Sequence, residues 1–108
     1  MIQIPVIDAN DSLTEVVLDG GTYFLRLTWN SEDEYWAWGL ESANHEVLVQ
    51  GRKLVPDTAL LRWVRTQYLP PGELMAIAPD RRDTISRKDL PSGDVALVYV
   101  SEDEVNAL

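Results

Sequence analysis

Alternation constrains this chain more than any other feature. In TYFLRLTWN, residues 22 to 30, Tyr23, Leu25, Leu27 and Trp29 share one side while Phe24, Arg26 and Thr28 take the other. That is the period of a β-strand with one buried face. SLTEVVL at 12 to 18 precedes it, with Leu13 and Val16 alternating less cleanly, and Asp19-Gly20-Gly21 lies between them. Glycines there permit positive φ, so residues 12 to 30 read as a hairpin. YWAWGLES continues the pattern, setting Trp36, Trp38 and Leu40 against Tyr35, Ala37, Gly39 and Glu41. The first set looks like a core face; the small residues of the second leave room for something to pack closely. The acidic run SEDE at 31 to 34 falls where a turn is needed, because charges in a tight connection stay hydrated and interrupt pairing. Ser42 to His45 reads as the next turn and EVLVQ as its partner strand, so residues 12 to 50 are expected to form a four-stranded meander.

The remainder is less regular. IQIPVI near the start places Ile2, Ile4 and Val6 on one face, and Pro5 limits the segment to an edge strand or a docked arm. Between 57 and 66, Asp57 stands where it could cap a short helix carrying Leu60, Leu61 and Val64, and Pro70-Pro71 stops whatever precedes it. ELMAIAP is a further strand. DVALVYV is apolar on both faces, as a central strand is. The segment between them, DRRDTISRKDLPSG, is long and charged, and SEDEVNAL reads as an exposed tail. The expected fold is mainly β, an antiparallel barrel or sandwich of about six to eight strands with at most one short helix, near 57 to 66. One domain accounts for all 108 residues: an N-terminal strand or arm over 1–10, a body over 11–100 and an acidic tail over 101–108.

The inventory of reactive groups is short. Cysteine is absent, which removes thiol chemistry and thiolate ligands. His45 is the single histidine and sits in a turn, so neither a histidine-based triad nor a multi-histidine metal site is expected. Eighteen acidic residues give close carboxylate pairs by chance, and no glycine-rich phosphate loop occurs. No enzyme activity, metal or cofactor is expected. A formal charge of −9 disfavours nucleic acid and anionic lipid. No apolar run approaches the ~18 residues that cross a bilayer, and no signal peptide is recognisable, so a soluble protein made in the cytoplasm is expected. Basic residues are nevertheless clustered: Arg62 and Arg65 flank Trp63, and Arg81, Arg82, Arg87 and Lys88 lie close together. A carbohydrate- or peptide-binding module is the main alternative to a purely structural role, because Trp36 and Trp38 share a strand face and would stack a ligand if exposed.

Taken in order, IQIPVI, LDGGTYFLRLTWN, WAWGLES, GRKLVPDTALL, YLPPGELMAIAPD and DLPSGDVALVYV resemble the small baseplate plug proteins of contractile-tailed, myovirus-type bacteriophages, over roughly residues 2 to 100. The resemblance implies a virion structural protein of the tail baseplate, present in multiple copies, associated with the central hub and spike at the distal end of the tail tube. Hub, spike, tube or wedge subunits would be its partners. On that basis Leu13, Val16, Tyr23, Leu25, Leu27, Trp29, Trp36, Trp38, Leu97 and Tyr99 are expected in the core. Ile2, Ile4 and Val6 are the first choice for apolar interface anchors, since a terminal strand can add to a neighbouring sheet edge; docking within the chain is the alternative. Arg81, Arg82, Arg87 and Lys88 are expected to face an acidic neighbour, a solvated loop being the alternative.

Overall fold

The computed structural model describes residues 1–64, 68–80 and 84–107, and for Trp63 the backbone only. Seven strands form two antiparallel sheets: β1 (Ile2–Gln3), β2 (Asp11–Leu18), β3 (Gly21–Asn30), β4 (Tyr35–Ser42), β5 (Val47–Lys53), β6 (Glu73–Ile77) and β7 (Ala96–Val100). The larger sheet has the order β2-β3-β4-β5 and is the expected meander; the smaller has the order β1-β7-β6. The sheets do not close into a barrel, and the architecture is that of an open sandwich.

Turn chemistry explains the meander. Asp19 and Gly20 lie at φ 51° and 81°, both left-handed, as in the tight turn whose twist matches its flanking strands. Because Leu18 faces Gly21 across it, Ser12, Thr14, Val16 and Leu18 point inward and Asp11, Leu13, Glu15 and Val17 outward. Leu13 is therefore exposed, contrary to its expected place in the core: the turn sets the register, and an odd position cannot join the even ones. In the β3–β4 turn, Asn30 Oδ1 accepts from the amides of Glu32 and Asp33 at 3.0 and 3.1 Å, so the acidic run is a connection held by the asparagine before it. Ser42 Oγ does the same for Asn44 and Glu46 at 3.3 and 3.1 Å.

Between the sheets lie Leu25, Leu27, Trp36, Trp38 and Leu40 on one side and Leu74, Ala76, Leu97 and Tyr99 on the other, all buried. Val16, Tyr23 and Trp29 pack at the margin of this core. Trp29 and Trp36 face each other across β3 and β4 and meet edge to face, centroids 5.5 Å apart. β7 is the central strand of its sheet, with Leu97, Val98 and Tyr99 all buried, as its two-faced apolar sequence implies.

Helical structure differs from expectation in number and place. Among the described residues of 57 to 66 a 3₁₀ turn forms, Arg62–Val64. The two short α-helices are α1 (Asp89–Ser92) and α2 (Glu102–Asn106). Asp57 caps nothing: it is left-handed at φ 56°, and its carboxylate accepts from the Ala78 amide at 3.0 Å, tying the segment after β5 to the end of β6. The C-terminal residues expected as a tail form α2, because Ser101 and Glu104 make a reciprocal capping box.

Candidate partner-binding surface

The N-terminal arm divides. Ile2 pairs with Tyr99 and keeps half its surface in solvent, whereas Ile4 is 3% exposed and donates its amide to Leu97 O at 2.7 Å. Val6 is half-buried against the core. Ile2, Ile4 and Val6 thus do not present a common outward face: Ile4 anchors the arm within the molecule, and the exposed apolar residues here are Met1, Ile2 and Ile7. Met1 precedes the alternating run, and Ile7, its last residue, lies off the period of Ile2, Ile4 and Val6, so alternation selects neither. The α-amino group of Met1 pairs with Glu104 of α2.

Arg87 and Lys88 find an acidic neighbour inside their own chain. Lys88 Nζ lies 3.1 Å and Arg87 Nη1 2.9 Å from the carboxylate of Asp8. Arg87 Nε also donates to Asn10 Oδ1 at 2.8 Å, and its guanidinium lies over Trp36, 5.3 Å from the ring centroid. Trp36 Nε1 donates to the Ser86 carbonyl at 3.2 Å, and the Ser86 amide donates to the buried carboxylate of Asp89 at 2.7 Å. These contacts fasten the connection before α1 to both the arm and the larger sheet. The hydrogen bonds from Lys88 and Arg87 hold the Asp8 carboxyl below its usual value of 3.8. Arg81, Arg82 and Arg65 lie outside the described residues.

A third feature is the outer face of the larger sheet, where a depression of about 510 Å³ opens over Ala37 and Gly39, with Arg26, Glu41 and Val47 on its rim. Small outward residues on β4 make it. Arg26 is held there by Asp11, at 3.0 Å, and more loosely by Glu41, at 3.8 Å. His45 stacks on Phe24 with centroids 4.2 Å apart, and its Nδ1 lies 3.1 Å from Glu41 Oε1. This is the packing of a turn residue against a sheet. Trp36 and Trp38 are 1% and 2% exposed and point to the opposite side, so they offer no platform to a sugar or peptide.

Among the described residues no three histidine, aspartate or glutamate side chains gather as a metal site. No described helix is long and apolar enough to cross a membrane.

The model of a protein family described as cyanophage baseplate Pam3 plug gp18 matches residues 1–103. The chain belongs to that family. No curated protein matches it. Membership in a baseplate plug family supports a structural role in the virion tail baseplate, in association with other baseplate proteins. The match takes in both sheets and begins with the arm that supplies β1.

Proposed function

We propose that this plug seats against the central hub and spike at the distal end of the tail tube, in multiple copies, and helps close the tube by contact. The observation that carries the proposal is the family match over 1–103. The surface chemistry agrees with it: apolar residues stand exposed on the arm, and basic residues sit on an otherwise acidic body.

In this reading Ile2, with Met1 and Ile7, supplies the holding contacts. Ile4 and Val6 keep the arm on β7 so that those residues are presented in a fixed direction. Lys88, 73% exposed, acts with Arg81 and Arg82 to steer the plug toward an acidic hub surface, and Arg87 braces the loop against Asp8 and Trp36. Synthesis in the host cytoplasm precedes assembly. An electron-microscopy reconstruction of the intact particle tests the location: density for this sandwich anywhere other than around the hub and spike overturns it. Association with purified hub tests the roles. Reversing the charge of Arg81 and Arg82 should slow association at low salt and do little at physiological salt, where the Debye length is about 8 Å. Ile2→Ser should chiefly hasten dissociation.

A further inference from the structure

The sheets of this sandwich have four lateral edges, and three are protected. The β6 edge is covered by the segment after β5, through Pro56 bridged to Ala76, the Asp57 amide on Ala76 O at 2.7 Å and the Leu60 amide on Leu74 O at 2.9 Å. β5 is broken by register shifts against β4 and ends in Arg52 and Lys53, two devices that discourage edge pairing. β1 is two residues long. β2 has none of these. It runs regularly for eight residues without proline, basic residue or bulge, and nothing pairs with its far side among the described residues.

Its free hydrogen-bonding groups can be assigned. Trp29 N donates to Asn10 O at 2.7 Å, which makes Asn10 and Trp29 a bonded pair. Bonded and non-bonded pairs alternate in an antiparallel ladder, so Ser12, Thr14, Val16 and Leu18 bond to β3. Asp11, Leu13, Glu15 and Val17 therefore turn their N–H and C=O groups to the open side. The same four residues carry the exposed side chains of this strand, in the order acid, apolar, acid, apolar.

We propose that the β2 edge accepts an extended strand from a different baseplate subunit, one that sets a lysine or arginine opposite Glu15 between two apolar residues opposite Leu13 and Val17. The inference rests on the reading of the protein as an assembly component. Charge selects the occupant. Asp11 is already held by Arg26, but Glu15 has no ion pair among the described residues and faces Phe24 on β3. A second copy pairing through the same edge would bring Leu13 against Val17 only in the register that sets Glu15 against Glu15, and like charges directly opposite are unfavourable. A chain of net charge −9 also repels its own copies. A heterologous strand with a central cation meets neither obstacle, and its main-chain bonds would complete the ladder that β2 leaves open.

The test uses the full chain and two synthetic peptides: one alternates threonine with isoleucine, lysine and isoleucine, and its twin carries glutamate in place of lysine. Hydrogen exchange is followed residue by residue. The lysine peptide should slow exchange at the Leu13, Glu15 and Val17 amides by about tenfold or more, leaving Thr14 and Val16 as they were. Glu15→Lys should reverse the preference between the peptides. Val17→Pro, which removes an outward N–H and no ladder bond, should abolish protection at Leu13 and Glu15. Equal protection by both peptides, protection by neither, or protection that appears without peptide as protein concentration rises would overturn the proposal. A particle reconstruction separates the two readings: a plug seated in the baseplate with β2 bare to solvent refutes strand addition and leaves the location standing. A plug absent from the baseplate, with the peptide preference intact, does the reverse.

Discussion

The two sheets are built by different means. In the larger, each strand pairs with the next in sequence across a short turn, and residues of those turns, Asp19, Gly20, Asn30 and Ser42, are held in turn geometry. The smaller gathers residues 2–3, 73–77 and 96–100 from distant parts of the chain. Besides the apolar core between them, a small set of polar contacts ties it to the larger sheet. Tyr99 is their centre: its hydroxyl donates to Asp19 Oδ2 at 2.5 Å and accepts from the Gly72 amide at 2.7 Å, while the same Asp19 oxygen takes the Glu102 amide at 3.0 Å. Gly72 is obligatory there, since a Cβ would stand 2.0 Å from Val100 O and 2.6 Å from that hydroxyl. Local pairing is thus specified many times over, and distant pairing rests on few groups.

Substitutions can break that contrast. The largest effect is expected at Trp36, which fills the core and also touches the distant connection through Ser86 and Arg87. Trp36→Ala should cost about 3–5 kcal/mol in urea unfolding, and a loss below about 1 kcal/mol would show that the core closes without it. Next comes Tyr99→Phe, which removes the hydroxyl bonded to both Asp19 and the Gly72 amide and should cost about 1–3 kcal/mol. Burial and the bond to Asp19 push the Tyr99 hydroxyl above its ordinary value of 10.0. Its stabilisation is therefore complete below about pH 10 and declines as the unfolded state ionises above it. The parent protein should lose stability through alkaline pH more steeply than Tyr99→Phe does.

Asp8→Asn probes the exposed clasp and should have a smaller effect. The Asp8 carboxyl is held low, so its contribution is present above the ordinary value of 3.8 and vanishes as pH falls through the lowered one. A small fall in Tm at neutral pH should disappear in acid, and a difference that persists there would assign the effect to packing. Leu13→Ser should matter least, within about 0.5 kcal/mol, because its side chain faces outward. A loss of the size expected for a core leucine would mean that the hairpin register is shifted by one residue.

The sequence showed the meander well because alternation and turn residues act over a few positions. It showed the remainder less well, and one tetrapeptide explains why. Ser-Glu-Asp-Glu occurs at 31 to 34 and again at 101 to 104. In the first copy Asn30 captures two amides and a strand follows, so the acids turn a corner. In the second, Ser101 and Glu104 cap each other and the chain coils into α2. Both copies carry the same Ser-x-x-Glu spacing, and only neighbours decide between the two outcomes. Asp57 misled in a similar way: its residue type suits a cap, and its actual partner, the Ala78 amide, lies twenty-one positions away. Within the basic stretch, the Asp8 clasp on Arg87 and Lys88 spans about eighty residues, a distance at which no periodicity carries information. The burial of Ile4 was hidden for the same reason. Ile4 enters the core because β7 lies beside it, a fact that alternation within IQIPVI cannot contain.

The pairing of β1 with β7 has a consequence for how the chain is made. Residues 2 and 3 leave the ribosome long before their partners, Tyr99 and Val98. Throughout elongation the arm has no sheet to join, and Ile2, Ile4 and Ile7 remain in contact with water or with whatever the nascent chain meets. The β2–β3 hairpin can close early, since such turns form in about 1–10 μs. The small sheet must instead wait until β7 has been made, when closure of the long loop between β1 and β7 becomes the slow step. A plug released before residue 100 would carry a finished meander and an unsatisfied apolar arm, the form of the protein most prone to capture by chaperones or by its own kind.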